Sequence, residues 1–278
     1  MRSSFLFFVL SGVSALMLRA DLPQMTESAK WLGYFVGYEE RSWDFGFGAD
    51  GEGLLLVKKG KDRMVHDAFK VQPLIQQKRE GRWTFRSAEE WTSEDPKGVN
   101  PKKPVTVRLK AKEGTEADFM MTVHGGKLIL KPKFVDKKVA DEVRMGVQIS
   151  VGDFYRVAEK MSKNAEFEEK DLKKLTKADY FKAKRFGDDE RINFKMFELE
   201  EDAKLDTDTG FLARGASEVE FKVGHLKKTI GLKTGNPKLS KILLEKKRGP
   251  LVKGYRLLWV VDPDNAGKKG AHLEISLK

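Results

Sequence analysis

The chain has no cysteine among its 278 residues. A thiol nucleophile, a lipid tether through an N-terminal cysteine and a disulfide framework are therefore excluded. An exported chain of this length can manage without disulfides, because it is long enough to bury a large apolar core. We therefore expect the fold to depend on packing and backbone hydrogen bonds alone.

Long apolar runs are also missing beyond residue 20. Residues 1–20 begin with Arg2 and two serines and continue with an apolar stretch from Phe5, which is the pattern of a signal peptide. Cleavage fits after Ala15 or Ala20, and we favour Ala20. A retained anchor is the alternative, but the stretch is shorter than the roughly 20 residues of a spanning helix. We expect an exported bacterial protein, periplasmic or extracellular, without a transmembrane anchor after cleavage.

The familiar catalytic motifs are absent as well. The four histidines are scattered, without the spacing of a helical zinc site, and no Gly-x-Ser-x-Gly elbow occurs. Gly46–Gly51 matches G-x-G-x-x-G, but an apolar strand follows it instead of the helix that a dinucleotide site requires. We expect no cofactor, apart from the calcium loop considered below. Enzymatic activity stays open, and the sequence favours a non-catalytic role.

Most of the chain consists of short segments in which apolar and polar residues alternate. This period of two predicts strands with one face in a core. The alternating segments are 105–111, 144–151, 218–223 and 272–278. Glycine-containing turns predict hairpins over 43–57 and 119–130, because glycine supplies the positive φ of tight turns. Tyr255–Val261 is apolar on both faces, which predicts a central strand.

These patterns predict a mainly β fold, an antiparallel β-sandwich or barrel-like sheets. Over about residues 153–184 the apolar residues recur every three or four positions, which predicts helix. We therefore divide the mature chain into an N-terminal β unit (21–152), a helical connector (153–185) and a C-terminal β unit (186–278). A single β-sandwich domain over 21–278 with a helical insertion is the alternative.

Charge is distributed unevenly along the chain, whose net charge is +11. From Lys222 to Arg256 there are eleven basic residues and one acid, whereas Glu198–Glu220 holds eight acids and two basic residues. One interpretation is a basic surface that contacts an anionic envelope polymer. Its contact residues would be Lys227, Lys228, Lys246, Lys247 and Arg248. We favour the other interpretation, in which acidic and basic strands are neighbours and pair across the sheet.

Nucleic acid is not an expected partner. An exported protein is separated from the nucleic acid of the cytoplasm. In addition, no binding motif with interleaved aromatic residues occurs in the basic stretch. Lysine also outnumbers arginine there, although arginine makes the bidentate contacts of phosphate recognition.

Two groups of residues are candidate ligand sites. Exposed aromatic rings stack on sugars, so a cluster near the mature N-terminus is a candidate glycan cleft, although aromatic residues in a β core are commoner. The members of this cluster are Trp31, Tyr34, Tyr38 and Trp43. In the loop 262–267, Asp262, Asp264 and Asn265 present oxygens that suit calcium. The same residue types are ordinary turn formers.

The sequence does not name a specific activity. The expected function is that of an exported non-catalytic binding or envelope-structural protein, which contacts a glycan or another component of the cell envelope. The alternative is a secreted carbohydrate-active enzyme that uses a carboxylate pair in a β-sandwich cleft. With 42 acidic residues, the sequence neither identifies nor excludes such a pair.

Overall fold

A computed structural model of the protein describes eleven stretches of the chain. They are 31, 33–59, 62–63, 69–93, 98–136, 142–151, 180–185, 191–195, 215–223, 228–246 and 255–278. The predicted signal peptide lies outside these residues. No helix in the described stretches has both the length and the apolar character that crossing a membrane would require.

The described residues form nineteen strands and a short 3-10 turn. The strands before residue 152 are β1 (Tyr34–Glu39), β2 (Trp43–Gly48), β3 (Gly53–Lys59), β4 (Asp62–Arg63), β5 (Phe69–Arg79), β6 (Arg82–Phe85), β7 (Ala88–Thr92), β8 (Gly98–Val99), β9 (Val105–Ala111), β10 (Glu116–His124), β11 (Lys127–Phe134) and β12 (Val143–Val151). The later strands are β13 (Tyr180–Arg185), β14 (Arg191–Lys195), β15 (Ala216–Val223), β16 (Lys228–Thr234), β17 (Ser240–Lys246), β18 (Tyr255–Val261) and β19 (Leu273–Leu277). The 3-10 turn, Pro263–Asn265, follows β18.

The strands hydrogen-bond into a curled, mostly antiparallel sheet. Neighbouring strands follow the order β7-β9-β10-β11-β19-β16-β15-β17-β18-β12-β5-β3-β2-β1. β13 and β14 branch from β15, and β8 pairs in parallel with β1. The right-handed twist between neighbouring strands, added over so many strands, curls such a sheet toward a barrel. The prediction of a mainly β fold is confirmed.

The alternating segments form the predicted strands. Strand β9 buries every second side chain from Val105 to Ala111 and leaves the residues between them half-buried. The β10–β11 hairpin turns at Gly125 and Gly126, whose φ values are 57° and 70°. β18 lies between β12 and β17 and is buried on both faces from Leu257 to Val260. The local period of two is therefore a reliable guide to these strands.

The apolar core draws on strands from both predicted β units. The rings of Phe69 in β5 and Phe221 in β15 lie 6.0 Å apart within one buried cluster. Backbone pairing also joins the units, because β12 pairs with β5 on one side and with β18 on the other. These strands therefore share one sheet and one core.

The segment predicted to be helical ends differently from the prediction. Residues 152–179 lie outside the described residues, but Tyr180–Arg185 forms strand β13. This strand pairs with β14 and β15, and its Ala183 is buried while Lys182 is exposed. Hydrogen bonding to a strand on each side sets the conformation of residues 180–185, although the spacing of the apolar residues predicts helix there.

Candidate functional site

A groove of about 570 Å³ crosses the outer face of the sheet, where β13, β15, β16 and β19 lie side by side. Its lining is rich in charge and includes six cationic and three acidic side chains. The cationic residues are Lys127, Lys182, Lys184, Arg191, Lys233 and Lys278, and the acidic residues are Glu218, Glu220 and Glu274. None of the nine is buried.

The period of two explains why these charges share one face. In β15, Val219 and Phe221 are buried in the core, so the alternate residues Glu218 and Glu220 lie on the outer face. β19 follows the same rule and places Glu274 there, between two buried residues. The same alternation that builds the core therefore builds the charged face.

The floor of the groove is formed by small residues. Gly231 of β16 stands opposite Ser276 of β19 on one side and Glu220 of β15 on the other. A Cβ atom at position 231 would lie 2.8 Å from Ser276 Oγ. Because Gly231 has no side chain, the centre of this face is recessed, and longer charged side chains surround it.

The charges are paired across neighbouring strands. Lys233 Nζ lies 2.9 Å from Glu218 Oε1, and Lys127 Nζ lies 2.8 Å from Glu274 Oε2. The Tyr180 hydroxyl donates a hydrogen bond of 2.9 Å to Glu220 Oε1. The contact between Glu218 and Lys233 confirms the predicted pairing of acidic and basic neighbouring strands. Each carboxylate in the groove thus has a donor within reach.

Two side chains of the groove have shifted pKa values. The hydrogen bond and the negative charge of Glu218 raise the pKa of Lys233 above its ordinary value. Partial burial would raise the pKa of Glu274, but hydrogen bonds and positive charge from Lys127 and His272 outweigh it and lower that pKa. Both groups are therefore held in their charged forms.

Among the described residues that line the groove, six cations face three carboxylates, so these residues together carry a net positive charge. Lys182 and Arg191 are exposed, and the Lys182 ammonium lies 4.4 Å from the centre of the Tyr180 ring. A groove with an excess of exposed cations attracts anionic ligands. The arrangement is suited to holding a negatively charged chain.

Most of the residues predicted to form a basic contact surface lie outside the described part of the chain. These are Lys227, Lys247 and Arg248, whereas Lys228 begins strand β16 and Lys246 ends strand β17. Sequence reasoning missed the groove because its cations come from widely separated segments. The alternation of Lys182 and Lys184 was the available signal, but the spacing of the apolar residues over 153–184 predicts helix there.

The predicted aromatic cluster is largely inside the protein. Trp31, Tyr38 and Trp43 are only 2%, 2% and 1% exposed, and Tyr34 is half-buried. Their polar atoms bond within the chain: Tyr38 Oη donates to the Met121 carbonyl at 3.0 Å, and Trp43 Nε1 to that of Gly126 at 3.3 Å. These three rings have no free face for a sugar, which agrees with the core alternative.

The predicted calcium loop forms a hydrogen-bonded turn. The Asp262 carbonyl accepts from the backbone N–H groups of Asn265 and Ala266, and Asn265 Oδ1 accepts from Lys268 Nζ at 3.1 Å. A lysine ammonium therefore stands beside one of the three proposed ligands, Asp262, Asp264 and Asn265. Within the described stretches, no three His, Cys, Asp or Glu side chains gather as a metal site.

The strands form a curled β fold, and comparison with solved structures shows a likeness of this fold. No protein-family model and no curated protein matches the chain. Among solved structures it is similar to the alpha-N-acetylgalactosaminidase NagBb from Bifidobacterium bifidum, in a complex with GalNAc, with a TM-score of 0.51 and 9% identity over 87% of this chain. The chain covers 35% of that enzyme's length. At this identity the likeness concerns the fold alone.

Proposed function

We propose that the protein is an exported, non-catalytic binding module that holds an anionic glycan of the cell envelope in the charged groove. The observation that carries this proposal is the lining of the groove, with six cations, three carboxylates and a floor of Gly231 and Ser276. Export rests on the signal-like pattern of residues 1–20.

The chemistry of the groove suits a sugar polymer with acidic groups. Exposed Lys182 and Arg191 can pair with carboxylate, sulfate or phosphate groups, while Asn193 and Ser276 can hydrogen-bond to hydroxyls. The predominance of lysine favours spaced point charges over bidentate recognition. The likeness of the fold to part of a glycosidase is compatible with a glycan ligand and does not select one.

The test measures retention of the mature protein on immobilised polygalacturonate and on uncharged dextran. Retention on the charged polymer should fall as salt rises from about 0.02 M to about 0.15 M, because screening weakens exposed ion pairs. The double variant Lys182→Glu/Arg191→Glu should bind the charged polymer about tenfold more weakly.

Lys102→Glu/Lys103→Glu is the matched control, since both lysines are exposed and lie outside the groove. It makes the same change in net charge and should retain most of the binding. Salt-independent retention, or an equal loss in both double variants, would show that the groove is not the binding site.

A second candidate function is a carbohydrate-active enzyme. It is favoured by the presence of Glu218, Glu220 and Glu274 in one groove, because glycosidases work with two carboxyl groups. The lowered pKa of Glu274 suits a charged carboxylate and not a proton donor at neutral pH. Release of reducing ends from a glycan panel, abolished by Glu218→Gln or Glu220→Gln and retained in Lys102→Glu/Lys103→Glu, would establish the enzyme instead of the module.

A further inference from the structure

A second cavity, of about 340 Å³, lies where β5, the β6–β7 connection and β12 meet the turn between β2 and β3. It shares no lining residue with the charged groove. The side chains that give it chemical character are Asp50, Gln72, Phe85, Arg86, Trp91 and Gln148.

Two aromatic rings line this cavity. Trp91 is held in place, because its ring lies 5.3 Å from that of Phe47 and 6.4 Å from that of Phe119. Gly51 leaves space for it, since a Cβ atom there would lie 2.1 Å from Trp91 Nε1. Phe85 is 45% exposed. In the described part of the chain, Phe85 and Val135 are the large hydrophobic side chains that are exposed.

The polar groups of the cavity are amides and one pair of opposite charges. Gln72 and Gln148 are direct partners on β5 and β12, so their amides project from neighbouring positions. Asp50 Oδ1 accepts from the backbone N–H of Glu52 at 3.0 Å. Arg86 is held from outside the cavity, by hydrogen bonds to Gln77 and Thr115. The described lining residues include one acid, Asp50, and one base, Arg86, so their charges balance.

We infer that this cavity binds a neutral pyranose ring. A sugar ring has an apolar face that packs on an aromatic side chain and hydroxyls that need donors and acceptors, and the cavity offers Trp91, Phe85, two glutamines and Asp50. Its volume is at the lower end of ligand pockets, about 300–1,000 Å³, which suits a single ring. The balanced charge favours a neutral ligand. This site is separate from the groove and does not depend on the proposed function.

The test titrates the mature protein with the methyl glycosides of glucose, galactose and N-acetylgalactosamine, followed by saturation-transfer NMR and by melting temperature. At least one glycoside should bind saturably and raise the melting temperature, because binding to the native state alone stabilises it. Phe85→Ala and Gln72→Ala should each weaken that binding about tenfold, the equivalent of one good contact. Phe85 is exposed and Gln72 is half-buried, so neither substitution removes a side chain from the buried core around Trp91.

Val135→Ala is the matched control, because it truncates an exposed hydrophobic side chain away from the cavity, and it should bind as the wild type does. Lys182→Glu/Arg191→Glu should also bind the glycoside normally. The inference is overturned if none of the three glycosides binds, or if Phe85→Ala and Gln72→Ala leave binding unchanged. A loss confined to the groove variant would place the sugar in the groove and likewise overturn it.

Discussion

Trp31 packs across strands β1 and β2 at a place that only glycine leaves open. Cβ atoms at Gly37 and Gly46 would lie 2.8 Å and 2.6 Å from the indole. The Tyr34 ring meets the indole edge-on at 5.6 Å, and Trp31 Nε1 donates to Glu39 Oε1 at 3.0 Å. The two glycines are therefore part of the packing of this tryptophan and not of a turn.

Gly46→Ala should lower the free energy of unfolding by about 1–3 kcal/mol, because the added methyl overpacks against both the Trp31 and Tyr34 rings. Urea denaturation measures this change. Gly98→Ala is the matched control, since a Cβ atom there meets nothing within 4 Å, and it should be nearly neutral. Equal effects of the two substitutions would show that close packing of Trp31 against Gly46 does not cause the loss of stability.

Glu274 makes the stability of the protein depend on pH. Its folded-state pKa lies below the ordinary value of 4.5, because hydrogen bonds from Lys127 and His272 outweigh partial burial. The unfolded chain therefore binds this proton more readily than the folded one. The resulting stabilisation is present above pH 4.5 and is lost as the pH falls through the lowered folded-state pKa.

Glu274→Gln should consequently be less stable than the wild type at neutral pH, by up to about 1 kcal/mol for a partly exposed pair. The difference should shrink as the pH falls below 4.5, the ordinary value for this carboxyl group. Unfolding curves at a series of pH values test this. Lys127→Met should show a weaker form of the same change, and a difference that does not vary with pH would refute the assignment.

At the scale of elements, strand β16 places the positive charge of Lys233 between two acidic residues on the outer face. Lys233 stands directly opposite Glu218 of β15 on one side and Glu274 of β19 on the other. Directly opposite side chains with unlike charges stabilise an antiparallel pair, and like charges destabilise it. Lys233 therefore links the two acidic neighbours of its strand.

Lys233→Glu should destabilise the fold by about 0.5–1 kcal/mol and make stability rise with added salt, because three carboxylates would then adjoin one another. Lys238→Glu makes the same charge change at an exposed position in the β16–β17 turn and should have little effect. Thermal unfolding at low and high salt compares the two. An equal effect of both variants would indicate a general influence of net charge.

Elements were predictable where one local pattern decided them. The alternation in β9 matches its burial residue by residue, and the apolar run in β18 matches the burial of residues 257–261. Gly125 and Gly126 likewise predicted the β10–β11 turn from a local pattern, because glycine accepts the positive φ values found there. β13 was not predictable from its own residues, because its strand state depends on pairing with β14, which follows closely, and with β15, which lies much further along the chain.

At the scale of the whole molecule, both predicted β units contribute to one apolar cluster. Strand β12 bridges them by pairing with β5 and β18, and β11 does so by pairing with β19. Contacts of this kind couple the unfolding of one part to that of the other. This coupling favours the alternative prediction, in which residues 21–278 form a single domain.

We therefore expect a single cooperative unfolding transition, with the calorimetric enthalpy equal to the van't Hoff enthalpy. Phe69→Leu and Phe221→Leu lie in different predicted units and should each lower that same transition by about 2–4 °C per kcal/mol of lost stability. Differential scanning calorimetry measures both. Two transitions, each shifted by only one of the substitutions, would establish two independent units.

The sequence by itself determined the β class, nine of the nineteen described strands and the absence of any cysteine chemistry, because these follow from composition and from local patterns of apolar residues and turns. The tertiary structure alone decided where side chains from distant segments meet. It buried Trp31, Tyr38 and Trp43, and it brought Lys127 to Glu274 across 147 residues. Long-range pairing sets these positions, and no local pattern records which strands will be neighbours.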